Sequence, residues 1–229
     1  MDWWTDIWLN EGFAMFLEYL CVDALFPEWN MWTQFTTSVY TPALKLDALK
    51  SSHPIEVRVE NPAEIDEVFD HISYYKGASI IRMLYHYVGP ESFREGLRDY
   101  LSSYEYRNAD TSDLWAVLEN TSRKPVREVM SAWTKQKGFP LISVKSSYDA
   151  ETSTKTLDLE SRKFWTDAKL NERGLFDHFK WRIPITLCRG KSPSKVCTED
   201  LIDDYESRVL RIQVSNVGCT EWVKVKLIY

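Results

Sequence analysis

The chain of 229 residues is poor in several things that would narrow its chemistry quickly. Only four cysteines occur, Cys21, Cys188, Cys197 and Cys219, with no C-x-x-C spacing, so a thiolate zinc site is excluded and free thiols are expected. Cys21 falls in an apolar helical run and reads as a small core residue, while Cys188 and Cys197 face each other across a predicted loop holding Gly190 and Pro193. Four histidines, His53, His71, His86 and His178, include no i, i+4 pair, so no two share a helix face as metal ligands. Basic residues are outnumbered, 28 against 34, and the net charge of -6 lacks the footprint of a nucleic-acid binder. No apolar run reaches 18 residues and no basic stretch precedes an apolar one near the N-terminus, which excludes a membrane-spanning helix and gives a cytoplasmic expectation.

What is present is a chain that is 44% hydrophobic, enough for a sizeable core, in two halves of different period. Up to about residue 137 the apolar spacing is helical, with helices over 10–25, 31–49 (interrupted at Pro42), 74–88, 90–104, 111–120 and 125–137. Residues 53–70 read as a loop in which Ile55-Glu56-Val57-Arg58-Val59 alternates like a short strand. Beyond Gly138-Phe139-Pro140 the period becomes two, with strands over 141–147, 154–162, 181–187, 208–214 and 222–227. The acidic stretch from Glu199 to Asp204 reads as a solvated loop, and Lys224 and Lys226 as the wet face of a strand. The expected fold class is α+β, with a helical domain over 1–138 and an antiparallel β-sandwich over 139–229.

Glu11 and Glu18 stand seven residues apart on one line of the first helix, which alone fits a solvated face. Met15, Val22 and Leu25 share that face, so the helix is apolar nearly all round and is expected to be buried. A buried carboxylate needs a cation or hydrogen-bond donors to offset its desolvation, and a zinc ion is one such partner. The small residues Gly12 and Ala14 suit close packing by another element. Trp3, Trp4, Trp8, Trp29 and Trp32 read as core packing around the first helices.

Three segments then resemble one family. Trp8-Leu9-Asn10-Glu11-Gly12-Phe13-Ala14, with the Trp pair before it, is similar to the zinc-ligand helix of the aminopeptidase-N-like zinc metallopeptidases, the gluzincins. Tyr74-Tyr75-Lys76-Gly77-Ala78-Ser79 resembles the family's Y-x-K-G-A-S segment, and Trp133 to Ile142 resembles its W-T-K-Q-x-G-F-P-L-I junction. The likeness is nearest to the puromycin-sensitive branch. It implies a thermolysin-like catalytic domain running into a β-sandwich, zinc-dependent removal of N-terminal residues from peptide substrates, and no nucleic-acid or membrane partner. Residue by residue, it implies Glu11 as the third zinc ligand and Tyr74 as the catalytic tyrosine, whose O–H donates to the oxyanion formed when water attacks a peptide carbonyl. Glu18 is expected to hydrogen-bond a ligand or its neighbour.

The family's H-E-x-x-H helix, which carries two zinc ligands and the general base, and its G-A-M-E-N-type segment are not found in these 229 residues. The expectation is a fragment that is inactive by itself and completed by an upstream half. The competing expectation, from another functional class, is a non-catalytic helical and sandwich module that binds a protein partner.

Overall fold

A computed structural model describes residues 2–167 and 178–227. It contains two compact units, one formed by residues 2–139 with 165–167, the other by 140–164 with 178–227.

The first unit is helical: α1 (Ile7–Leu25), α2 (Met31–Phe35), α3 (Thr41–Asp47), α4 (Gly77–Val88), α5 (Pro90–Ser103), α6 (Thr111–Ser122) and α7 (Val126–Thr134). Its core gathers Trp8, Phe16, Phe35, Ile80, Leu84, Trp115, Met130 and Trp133, each almost wholly buried. A 3-10 turn, Trp4–Asp6, brings the chain into α1 one turn earlier than the apolar pattern suggests. The Asp6 carboxylate does not cap α1 itself but reaches across to α6. It accepts from the Thr111 hydroxyl at 2.5 Å and from the Thr111 backbone N–H at 3.3 Å, and the Trp8 indole donates to the same hydroxyl at 3.3 Å. The entry to α1 is thereby tied to the first turn of α6, whose own cap is Asp110, in a reciprocal capping box with Asp113.

Several sequence expectations need correction here. Pro42 does not break its helix, because the preceding residues Thr36–Tyr40 form a π-helical turn that passes directly into α3. The wider turn absorbs the hydrogen bond a proline cannot donate, and the Thr41 hydroxyl adds a bond to the Thr36 carbonyl at 2.8 Å. Ile55 to Val59 forms no strand among the described residues and bends at Ile55 and Glu56, although Ile55 and Val59 are buried. Nor is α1 buried all round. Ile7, Trp8, Leu9, Gly12 and Phe16 are inside, whereas Ala14, Leu17, Cys21, Ala24 and Leu25 are exposed, so Cys21 is not a core residue. Of the five clustered tryptophans, Trp8 is core, Trp4 and Trp32 are half-buried, and Trp3 and Trp29 are about half exposed.

The second unit holds two three-stranded antiparallel sheets, in the orders β1-β2-β5 and β4-β3-β6. The strands are β1 (Pro140–Asp149), β2 (Thr154–Lys163), β3 (Arg182–Arg189), β4 (Ser192–Asp203), β5 (Val209–Val214) and β6 (Val223–Leu227). Leu157 and Leu159 from β2 and Ile212 and Val214 from β5 are buried at alternate positions, as a period of two requires, whereas the central strand β3 is buried continuously from Ile183 to Cys188. The acidic stretch is not a loop. Glu199 to Asp203 lie on edge strand β4, Asp203 pairs with Arg182 at 2.8 Å, and buried Asp204 accepts from the Ser161 hydroxyl and from the Trp181 N–H. Cys188 and Cys197 accordingly sit on paired strands, and both thiols are free. Lys224 and Lys226 are exposed, as expected of a wet strand face.

Candidate functional site

The site is assembled where α1 meets the segment that leads into α4. Residues Ile72–Lys76 form a second π-helical turn, continuous with α4, and Tyr74 lies at its middle. Alpha-1 crosses this segment with almost nothing in between. A Cβ built on Gly12 would lie 3.0 Å from the carbonyl carbon and 3.2 Å from the Cα of Gly77, both backbone atoms that no rotamer change can move aside. Two glycines therefore let the backbones touch, and the residues beside them are brought together.

Those residues are Glu11 and Tyr74, both half-buried. The Glu11 carboxylate lies close enough to the Tyr74 phenol to shift its acidity. The carboxylate as a nearby acceptor, then burial, then the negative charge of Glu11 raise the phenol's pKa above its usual value of 10.0. Tyr74 thus keeps its proton at neutral pH and is available as a donor. The adjacent phenol is used differently: the Tyr75 ring packs edge-on against His71, with centroids 4.5 Å apart. Glu18 is exposed two turns further along α1 and raises the pKa of its neighbour Tyr19 by its charge, after burial. It makes no hydrogen bond to Glu11 or Tyr74 among the described residues.

Four residues missing from the sequence-level site hold this arrangement. Lys76 and Asp47 are wholly buried and meet at 2.8 Å. The approach to Asp47 Oδ2 is off the line of a hydrogen bond, so charge carries that contact, and the ammonium donates instead to the carbonyls of Gln136 at 3.1 Å and Gly138 at 3.3 Å. Asp47 Oδ1 accepts from the Gly138 N–H and the Ser52 hydroxyl, each at 2.7 Å. The lysine of the Y-x-K-G-A-S segment is thus fastened to the W-T-K-Q-x-G-F-P segment. At the other end of the π turn, Asp70 caps the N–H groups of Ile72 and Ser73, and His53 holds Asp70 at 2.7 Å. A lysine that stays buried demands a counter-charge, and an Asp ahead of a helical run is a cap signal; these were the clues available.

Whether this constellation suits a metal can be asked of its donors. Among the described residues, no group of three or more His, Cys, Asp or Glu side chains is placed to hold an ion. Glu11, half-exposed with a phenol as its neighbour, fits as a single carboxylate ligand and needs further donors to complete a zinc site.

Comparison with known proteins shows the family. A model described as "Peptidase family M1 domain" matches residues 1–133, which include Glu11, Tyr74 and Lys76. The chain is 52% identical over 188 residues to aminopeptidase M1-D of Oryza sativa subsp. japonica, a match covering 82% of the chain and 20% of that protein. It is 50% identical over 190 residues to aminopeptidase M1 of Arabidopsis thaliana, covering 83% and 20%. With the puromycin-sensitive aminopeptidase of Caenorhabditis elegans, identity is 40% over 225 residues, covering 98% and 23%. The chain spans about a fifth to a quarter of the length of these relatives.

Proposed function

Because the chain belongs to peptidase family M1, we propose that it carries one side of an aminopeptidase site, with Glu11 as a zinc ligand and Tyr74 as the donor that stabilises the oxyanion of a peptide under hydrolysis. The observation that carries this reading is the close crossing of Gly12 and Gly77, which brings the Glu11 carboxylate beside the phenol of Tyr74 closely enough to raise its pKa. A zinc ion, when bound, supplies Lewis-acid polarisation and makes water a nucleophile at neutral pH.

The chain's own residues contribute the rest. Glu11 presents a carboxylate from a helix whose position is set by the glycine crossing, with the Tyr74 phenol beside it. A peptide carbonyl at this point gives the phenol a second acceptor, and the donor is worth most when that oxygen carries full negative charge. A general base is not assigned to any described residue, so the complete reaction requires polypeptide beyond this segment. The residues that recognise the substrate amine are likewise proposed to lie outside it.

The test is to complete the enzyme with the remaining polypeptide of a matched relative and compare it with Glu11→Ala. Zinc content and aminopeptidase turnover are expected to fall together, with partial recovery in excess zinc. Full zinc occupancy in Glu11→Ala would overturn the ligand assignment.

A further inference from the structure

His53 and Asp70 touch neither Glu11 nor the phenol of Tyr74, yet together they hold the backbone on which that phenol rides. The π turn Ile72–Lys76 begins with N–H groups that have no partner inside the turn. Asp70 Oδ1 takes two of them, from Ile72 and Ser73, at 3.0 Å each, and the Asp70 carbonyl accepts the Tyr74 N–H at 3.1 Å. The Ser73 hydroxyl adds a bond of 2.6 Å to the Val68 carbonyl. Ordinary capping needs no more than Oδ1. Here the second oxygen is held as well, by His53 Nε2 at 2.7 Å, while His53 Nδ1 meets the Pro54 carbonyl at 2.7 Å.

Both partners of the imidazole are pure acceptors, a carboxylate and a carbonyl, so the ring satisfies both only with a proton on each nitrogen. The geometry agrees with the direction of its acidity, since the bond to Asp70 raises the pKa of His53 above 6.5 against the opposing effects of burial and the Lys76 charge. The imidazolium removes the carboxylate's freedom to swing away from the turn.

We propose that His53 and Asp70 are positioning residues for Tyr74: His53 fixes the Asp70 carboxylate, Asp70 caps the π turn, and the capped turn aims the phenol at Glu11. The functional meaning of this relay rests on the reading of Tyr74 given above, but the relay itself is a property of this chain and is measured without turnover.

The experiment uses the chain itself, labelled with 15N and with 13C in the tyrosine rings. Amide hydrogen exchange and ring signals are compared between the wild type, His53→Phe, His53→Gln and Asp70→Asn. His53→Phe is expected to speed exchange at Ile72 and Ser73 by about five- to tenfold, the scale of losing one helix cap, and to displace the Tyr74 ring signal. Amides in α6 should be unchanged. His53→Gln, whose amide can still donate to Asp70, should recover most of the effect, and Asp70→Asn, which keeps the capping oxygen but lacks the charge, should fall between. Unchanged exchange and an unchanged Tyr74 signal in His53→Phe overturn the relay. So does acceleration that is equal in α6 and the π turn, which would make His53 a general stabiliser. Failure of Tyr74 as the oxyanion donor is read separately, from turnover of the completed enzyme, and leaves these exchange rates as they are.

Discussion

The carboxylate of Glu11 raises the pKa of the Tyr74 phenol across a helix crossing at which Gly12 and Gly77 meet backbone to backbone. The pair is close because the backbones are close, so its geometry depends on two residues with no chemistry of their own.

Gly12→Ala puts this to the test. In an ordinary helix interior the change would stabilise by roughly 1 kcal/mol. Here the new methyl meets backbone at 3.0 Å, and overpacking of that kind costs about 1–3 kcal/mol. The expected outcome is a lower urea midpoint with an unaltered m-value, together with a displaced Tyr74 ring signal. A more stable Gly12→Ala variant would mean that the crossing yields easily.

For the catalytic reading, Tyr74→Phe in a completed enzyme should keep its zinc and its KM while kcat falls by roughly 10²–10³-fold, the usual loss for one oxyanion donor. Tyr75→Phe is the control, because the Tyr75 ring is engaged with His71. Near-normal kcat in Tyr74→Phe would return that residue to a packing role.

Lys76→Met leaves Asp47 buried opposite an apolar chain and should destabilise the helical unit by about 3–5 kcal/mol, measured by urea denaturation. Lys76→Met combined with Asp47→Leu removes both charges and should cost less than Lys76→Met alone. If the double variant is the worse of the two, the hydrogen bonds to Ser52 and Gly138 matter more than the ion pair.

The His53–Asp70 pair also sets a pH window. His53 has a raised pKa, so its contribution is complete below its unfolded value near 6.5 and is lost as pH rises through the higher folded value. Asp70 has a lowered pKa, held down by His53 and by the Ser73 and Ile72 N–H groups against the opposing effect of burial, so its contribution is complete above about 3.8 and is lost as pH falls through the lower folded value. Both are present between those limits. Urea midpoints of the wild type, relative to His53→Gln, should be highest near pH 5–6 and should decline toward pH 8.5. A difference between the two proteins that does not vary over that range would contradict the ionised pair.

The change from a helical to a two-residue period beyond Pro140 was legible because α7 and the strands β2 and β5 bury apolar faces at regular spacing. Strand β4 was not, since an edge strand with mostly exposed residues carries no alternation to read, and its acidic residues resemble a loop. Glu11 and Tyr74 were recognised by likeness to a family, whereas Asp47 was overlooked: one Asp in a helix gives no sign that a lysine 29 positions later will be buried against it. The same holds for Asp70, whose task depends on a π turn that apolar periodicity does not distinguish from an α turn. Cys21 was misplaced because an exposed apolar face on α1 has the same composition as a buried one.

The π turn at Thr36–Tyr40 also fixes rotational phase. It holds one residue more than the corresponding α turn, and each residue turns a helix by about 100°. Deleting a single residue there would rotate everything after it by that angle and would leave Pro42 without the wider turn that accommodates it. Asp47, at the last position of that helix, would then swing out of the plane in which it meets Lys76 and the Gly138 N–H. The spare residue thus serves as a one-step adjustment of azimuth, and the chain can bear an insertion or deletion at that turn only if a second change restores the angle.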